Sequence, residues 1–390
     1  MARPPIGWRG SAWTDTVTAE QARPAPPGTR AAAAKRWPGL VALAMVLAAL
    51  GFVAANASRG VAGAARIANP TVSGAPRPVR PLFGWTHWLG LHQTGTIIMM
   101  VQLVAVAGYF WRRYPRHPVL LMVLATTGIV WQDPIMNWAP YAVYNPQLWH
   151  WPVNWPLVSL SPTVEPFIVI GYATFYLGPF FPAIWILRRI QARWPTGSFA
   201  WRHPLISLAA LVLVIGFVFD ALLESFLVRT QLYIYSQVIP FGSLFAGKPY
   251  QFPLIWESSL VALVMIPAGV LLYRDDTGRT QAEKLAQRVR PFRRRPALGA
   301  FAVMFAILNV AYFCYGAGFA IIRETKAATS VACPWPFPEA KVYDPQAFYE
   351  KAGQPGPYSA GIWDGWETAQ PGRTGVSPSA VGARCGAGHG

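Results

Sequence analysis

Acidic residues are nearly missing from the middle of this chain. Of 16 in 390 residues, only Asp133, Glu165, Asp220, Glu224 and Glu257 lie between Glu20 and Asp275. Cysteine is also scarce, with three in all, too few for a disulfide framework. No Cys-x-x-Cys pair, Walker loop or Gly-x-Ser-x-Gly elbow occurs. That sets aside dithiol redox chemistry, P-loop nucleotide hydrolysis and the α/β-hydrolase nucleophile. Segment 298–322 holds no lysine, so a retinal Schiff base in the last span is ruled out. No internal repeat is visible, and an inverted-repeat transporter has no support.

What the chain does have is apolar length: 53% of its residues are hydrophobic and only 13% are charged. A bilayer is crossed by roughly 20 apolar residues in a helix. Seven segments meet that need, near 37–56, 93–111, 119–132, 164–187, 205–228, 254–273 and 298–322. The third is short, but Pro134 to Tyr144 stays apolar and extends it as an irregular piece. Irregular backbone survives at membrane depth only where protein or a water-filled cavity satisfies its polar groups. The expected fold is an all-α polytopic membrane protein, a bundle of about seven transmembrane helices.

The net charge of +17 suggests nucleic acid, and its distribution argues otherwise. Eight Lys and Arg fall in 274–297, two in 229–253 and none in 133–163. Alternating connecting segments hold 21 against 12 of the 33. The positive-inside rule then places the amino terminus in the cytoplasm and the carboxyl tail outside, in a multi-pass cell-membrane protein. Residues 1–36 read as a disordered cytoplasmic segment, 37–326 as the membrane domain, and 327–390 as an external Gly/Pro-rich tail. Ala55-Asn56-Ala57 resembles a cleavage site, yet the long apolar run before it fits an uncleaved anchor better. Cys333 and Cys385 both fall in the tail, where a disulfide is permitted, and the sequence leaves their pairing open.

The loop 132–163 is aromatic, lacks any basic residue and is expected outside. Trp131, Trp138 and Tyr141 open it, and His150 sits between Trp149 and Trp151. An interfacial aromatic belt explains such a loop. A lid over the mouth of the bundle explains it equally well, and the two readings are compatible.

An ionisable group at membrane depth costs about 2.5–3.5 kcal/mol on insertion scales, so five of them mark a polar site. Threading alternate spans in and out brings Asp133, Glu165, Asp220, Glu224, Glu257, His87 and His92 to the external half. Asp220 and Glu224 share a helix face by their i, i+4 spacing. Asp220 lies about 22 Å along the helix from Leu205, inside the hydrocarbon core. Asp133 precedes Pro134, so the helix is expected to end there with the carboxylate at its unfavourable pole. Glu165 precedes Pro166 and meets a favourable pole, where it should ionise more easily. Carboxyl groups pushed apart in pKa are what acid–base chemistry needs. Buried acids also serve simply to hold helices in register, and for any single residue that bland role is the stronger expectation. The candidate catalytic set is Asp133 as acid, Glu165 as base, with Asp220, Glu224 and Glu257 tuning or sharing these roles. Trp131, Trp138, Tyr141, His87 and His92 are the candidate substrate contacts. His87 and His92 share a helix face poorly, and no metal or cofactor is expected.

The stretch from Trp131 to Tyr144, then Asn145 through Glu165-Pro166, and Tyr176-Leu177-Gly178-Pro179 resembles the AveC-like spirocyclase family of actinobacterial membrane proteins. The similarity spans roughly residues 80–325. It implies spiroketal formation from a dihydroxy-ketone polyketide in secondary metabolism, followed by dehydration in some members. No family motif carries residue roles across. The expected partners are a hydrophobic small molecule and the bilayer, with no nucleic acid. The same carboxylates would also serve a proton-coupled transporter, a lipid-handling protein or a membrane terpene cyclase. Oligomeric state is not legible.

Overall fold

A computed structural model describes residues 82, 84–137, 142–152, 155, 157–158, 161–333, 337, 342–343 and 358–359. The anticipated span at 37–56, the leader 1–36, Trp138, Tyr141 and Cys385 lie outside the described residues. Six helices in the rest are long and apolar enough to cross a membrane. They are α1 (Trp88–Arg113), α2 (Pro118–Met136), α3 (Phe167–Arg193), α4 (Pro204–Arg229), α5 (Leu254–Leu272) and α6 (Pro296–Glu324). The protein is an all-α polytopic membrane bundle.

α4 shows why these sequences pack as they do. Its buried residues are Leu208, Val212, Gly216, Asp220, Glu224 and Val228, a row at four-residue spacing. Such a row is the ridge that interlocks with a neighbouring helix. The neighbour is α5, against which α4 packs most extensively. Gly216 permits the approach: a Cβ there would sit 2.8 Å from the Met265 sulfur and 3.5 Å from the Ala262 Cβ. Small residues at the seam are how membrane helices gain van der Waals contact without hydrophobic drive. The other side of α4 carries Val214 and Leu222, which are exposed and suited to lipid.

Two connections lie across one end of the bundle. β1 (Ala142–Tyr144) follows α2, and β2 (Tyr233–Tyr235) follows α4; they pair antiparallel with Val143 opposite Ile234. β3 (Gln237–Val238) pairs with β4 (Ser330–Val331), which brings the chain after α6 back onto the same end. Gln251 is fully buried there, and its amide donates to the carbonyls of Tyr235, Ser236 and Ser330. Ala332, Phe337 and the disulfide-bonded Cys333 are buried too. The start of the tail is thus part of this roof.

The opposite end is basic. A short helix, Gln281–Gln287, starts with a capping box in which Thr280 and Glu283 satisfy each other's backbone donors. Arg188 stacks on Tyr273, and Arg189 on Trp185. Exposed Trp111, Trp185 and Trp194 on this side, with Trp85, Trp131 and Trp149 near the roof, fit two interfacial belts.

Candidate functional site

Beneath the roof is a cavity of about 260 Å³. Its walls are mostly apolar, from Met99, Phe175, Phe219, Leu223 and Val261 among others. The polar lining comprises Glu224, Glu257, Asn137, Thr174 and seven tyrosines: Tyr144, Tyr172, Tyr176, Tyr233, Tyr235, Tyr312 and Tyr315. Concave, largely apolar sites with a few convergent polar groups are where small molecules bind.

The five carboxyl groups form two sets. One is Asp133 with Glu165. The expectation that the helix stops at Asp133 is not met. α2 tightens into a 3-10 turn at Ile129–Gln132 and then makes one more α turn, Asp133–Met136. Pro134 fits the start of that turn, where its missing N–H costs nothing. Asp133 therefore opens a turn instead of facing the negative pole of a long helix. It is fully buried. Its Oδ1 accepts from the hydroxyls of Tyr172 and Tyr312, the latter at 3.0 Å, and its Oδ2 accepts from Asn137 Nδ2 at 2.9 Å.

Glu165 is placed by the aromatic loop. Trp151 N donates to the Glu165 carbonyl at 2.9 Å, and Phe167 N donates to the Trp149 carbonyl at 3.0 Å. Pro166 then caps the 3-10 turn that leads into α3. Both carboxyl oxygens of Glu165 are buried without a hydrogen-bond partner. Burial first, and then the negative charge of Asp133, hold this carboxyl well above the ordinary carboxylate range. Ready ionisation, expected from the helix pole, is overturned by desolvation.

The second set is Asp220, Glu224 and Glu257, on facing sides of α4 and α5. Glu224 Oε2 accepts from Tyr233 and, at 3.0 Å, from Tyr235. Glu257 Oε1 accepts from Tyr315 at 2.9 Å, while its Oε2 has no partner. Asp220 is fully buried with both oxygens unpartnered, and its polar neighbour Ser258 is likewise orphaned. Buried polar groups are normally paired, so these acids stand apart from the rest of the interior.

Glu224 and Glu257 line the cavity, whereas Asp133 stands behind the lining residues Tyr172, Tyr312 and Asn137. Glu165 and Asp220 are also set back from the lining. The expected substrate contacts are distributed differently. His87 is exposed beside Trp85, and Trp131 is 50% exposed with its indole N–H donated to Asn309 at 2.7 Å. His92 is buried, with Nε2 2.9 Å from Thr230 Oγ1. None of these three lines the cavity.

Sequence reasoning missed the tyrosines. Tyr312 and Tyr315 are three residues apart on α6, and their rings stack 5.5 Å between centroids. Tyr233-Ile-Tyr235 alternates as a strand does. Both patterns were available, but a tyrosine in an apolar span carries no charge cost to draw attention. Burial, followed by nearby acidic charge, pushes the Tyr144 and Tyr235 phenols well above their usual range, so they stay protonated donors. Among the described residues no cluster of three His, Cys, Asp or Glu side chains could hold a metal ion.

The bundle of apolar helices and its acid- and phenol-lined cavity define a membrane protein with a buried polar centre. The family model described as "Spirocyclase AveC-like" matches residues 111–343, more than half of the chain, and the protein belongs to that family. No curated protein and no solved structure matches it. Family membership and the membrane helices together support a cyclase-type role.

Proposed function

We propose that this protein is a membrane-embedded cyclase that closes a hydrophobic dihydroxy-ketone to a spiroketal by acid–base catalysis. The observation that carries the reading is the pair Glu224 and Glu257 in one apolar, tyrosine-lined wall. In the first step a protonated carboxyl gives its proton to the ketone oxygen while one substrate hydroxyl adds to the carbonyl carbon, giving a hemiketal. A carboxylate takes the proton of the attacking hydroxyl. In the second, the hemiketal hydroxyl is protonated and leaves as water, and the remaining hydroxyl closes on the oxocarbenium carbon as it loses its proton. One water is released and the proton count is restored.

Glu257 is assigned as the group that meets the substrate oxygen, because its Oε2 is unengaged. Glu224, held by Tyr233 and Tyr235, is the complementary carboxyl. Asp133 and Glu165 act one layer back, with Tyr172 and Tyr312 as the hydroxyls between them and the cavity. Asp220 supports the second set from deeper in the bundle. Positioned acids and bases contribute about a hundred- to ten-thousandfold in rate. Tyrosine faces stabilise the cationic intermediate. The amino terminus is placed in the cytoplasm by the charge asymmetry, which puts the cavity near the outer surface. The organisation into 1–36, 37–326 and 327–390 belongs to the same proposal.

The test compares lipid-phase metabolites of a deletion strain complemented with wild type or with Glu257→Gln. The expected result is that the deletion and the variant both accumulate a compound one water heavier than the product they lack. Redistribution of an unchanged compound between cells and medium would overturn cyclisation in favour of transport.

A further inference from the structure

The cavity lies against one seam of the bundle, between α1 and α4. At the roof end that seam is clasped: His92 bonds Thr230, and Trp88 and His92 meet the Phe226 ring edge-on at 5.6 and 6.2 Å between centroids. Below the clasp the two backbones pack less closely than α4 packs on α5. α1 is instead held chiefly by the 3-10 turn at the start of α3 and, more weakly, by α2. The two helices are antiparallel. Met99, about 10 Å below His92 at 1.5 Å per residue, therefore comes to the depth of Phe219 and Leu223 on α4. All three line the cavity and all three are only half-buried. The Met99 thioether is seated on Gly171, where any Cβ would collide with it. Methionine is the flexible, apolar side chain suited to a contact that must open and re-form.

We infer that this seam is a lateral portal from the bilayer, gated by Met99, and that the substrate is an elongated lipid-soluble molecule. Only its reacting segment enters the cavity, and the rest stays among lipid tails. The cavity of about 260 Å³ is below the roughly 300–1,000 Å³ typical of sites that enclose a whole drug-sized ligand. The lipid side of the seam is already apolar, with Ile98, Val101 and Leu222 exposed. This inference rests on the cavity being the substrate site.

A test without turnover separates the two. The protein in nanodiscs is irradiated with a bilayer-partitioning aryl diazirine, and carbene adducts are mapped by mass spectrometry. Wild type is expected to carry adducts on the cavity residues Val261 and Tyr315 as well as on the lipid-facing Val214 and Leu222. Met99→Trp should cut the cavity adducts about fivefold, because a close-packed interior opens only where a side chain can move aside. Met99→Ala should raise them, and neither variant should alter the Val214 and Leu222 adducts, which also report that the bundle is intact. Cavity labelling that ignores both substitutions, or that never occurs in wild type, would overturn the portal. Neither result bears on whether cyclisation happens.

Discussion

The two carboxyl sets flank the same cavity, and Asp133 in one is built differently from Asp220 and Glu257 in the other. Asp133 has both oxygens engaged, by Tyr172, Tyr312 and Asn137, and its geometry is fixed from three elements. In the other set, Asp220 has neither oxygen engaged, and Glu257 has only one. A saturated carboxyl is a structural fixture whose loss leaves donors stranded. An unengaged carboxyl oxygen can be altered without stranding a protein donor. The contrast separates Asp133 from Glu257, to which the proposed reacting role falls, although composition alone treats all five acids alike.

That contrast can be broken most directly at Glu257. Glu257→Gln should reduce product formation about a hundred- to ten-thousandfold while leaving thermal stability in detergent close to wild type. A normal rate with lowered stability would reverse the assignment. Asp133→Ala should do the converse, costing about 1–3 kcal/mol in unfolding measurements as the donors of Tyr172, Tyr312 and Asn137 lose their acceptor.

Glu165 sharpens the comparison through pH. Its raised pKa means that the folded chain keeps a proton which the unfolded chain releases above the ordinary value of 4.5. The associated stability is complete below that value and is lost as pH rises through the folded pKa. Glu165→Gln should therefore match wild type in acid and become the more stable protein as the pH increases. Equal pH profiles of melting temperature would refute it. The smallest effect is expected at Asp220→Asn, within about 0.5 kcal/mol of wild type, since no hydrogen bond is removed. A large loss there would reveal a partner for Asp220 and collapse the distinction between the two sets.

Much of this arrangement was readable along the chain. Length and hydropathy located the six described spans, because bilayer thickness imposes a run of apolar residues on each. The i, i+4 pair Asp220 and Glu224 announced its shared face, and α4 buries both along a single row. Glu165 and Asp133 were expected at one end of the bundle, and they are neighbours there. The histidines and Trp131 illustrate the limit. Their chemistry suits a substrate, yet His92 is spent on Thr230 and Trp131 on Asn309. Which face of a helix end meets a cavity depends on where other segments cross it.

Composition and periodicity thus determined the class of the protein, its spans and the set of acids in its polar centre, since membrane solvation acts on each segment separately. The tertiary structure alone decided which carboxyls meet the cavity, which tyrosines serve them and where the seam lies. Those outcomes depend on contacts between residues as far apart as Asp133 and Tyr312, and no local rule relates such partners.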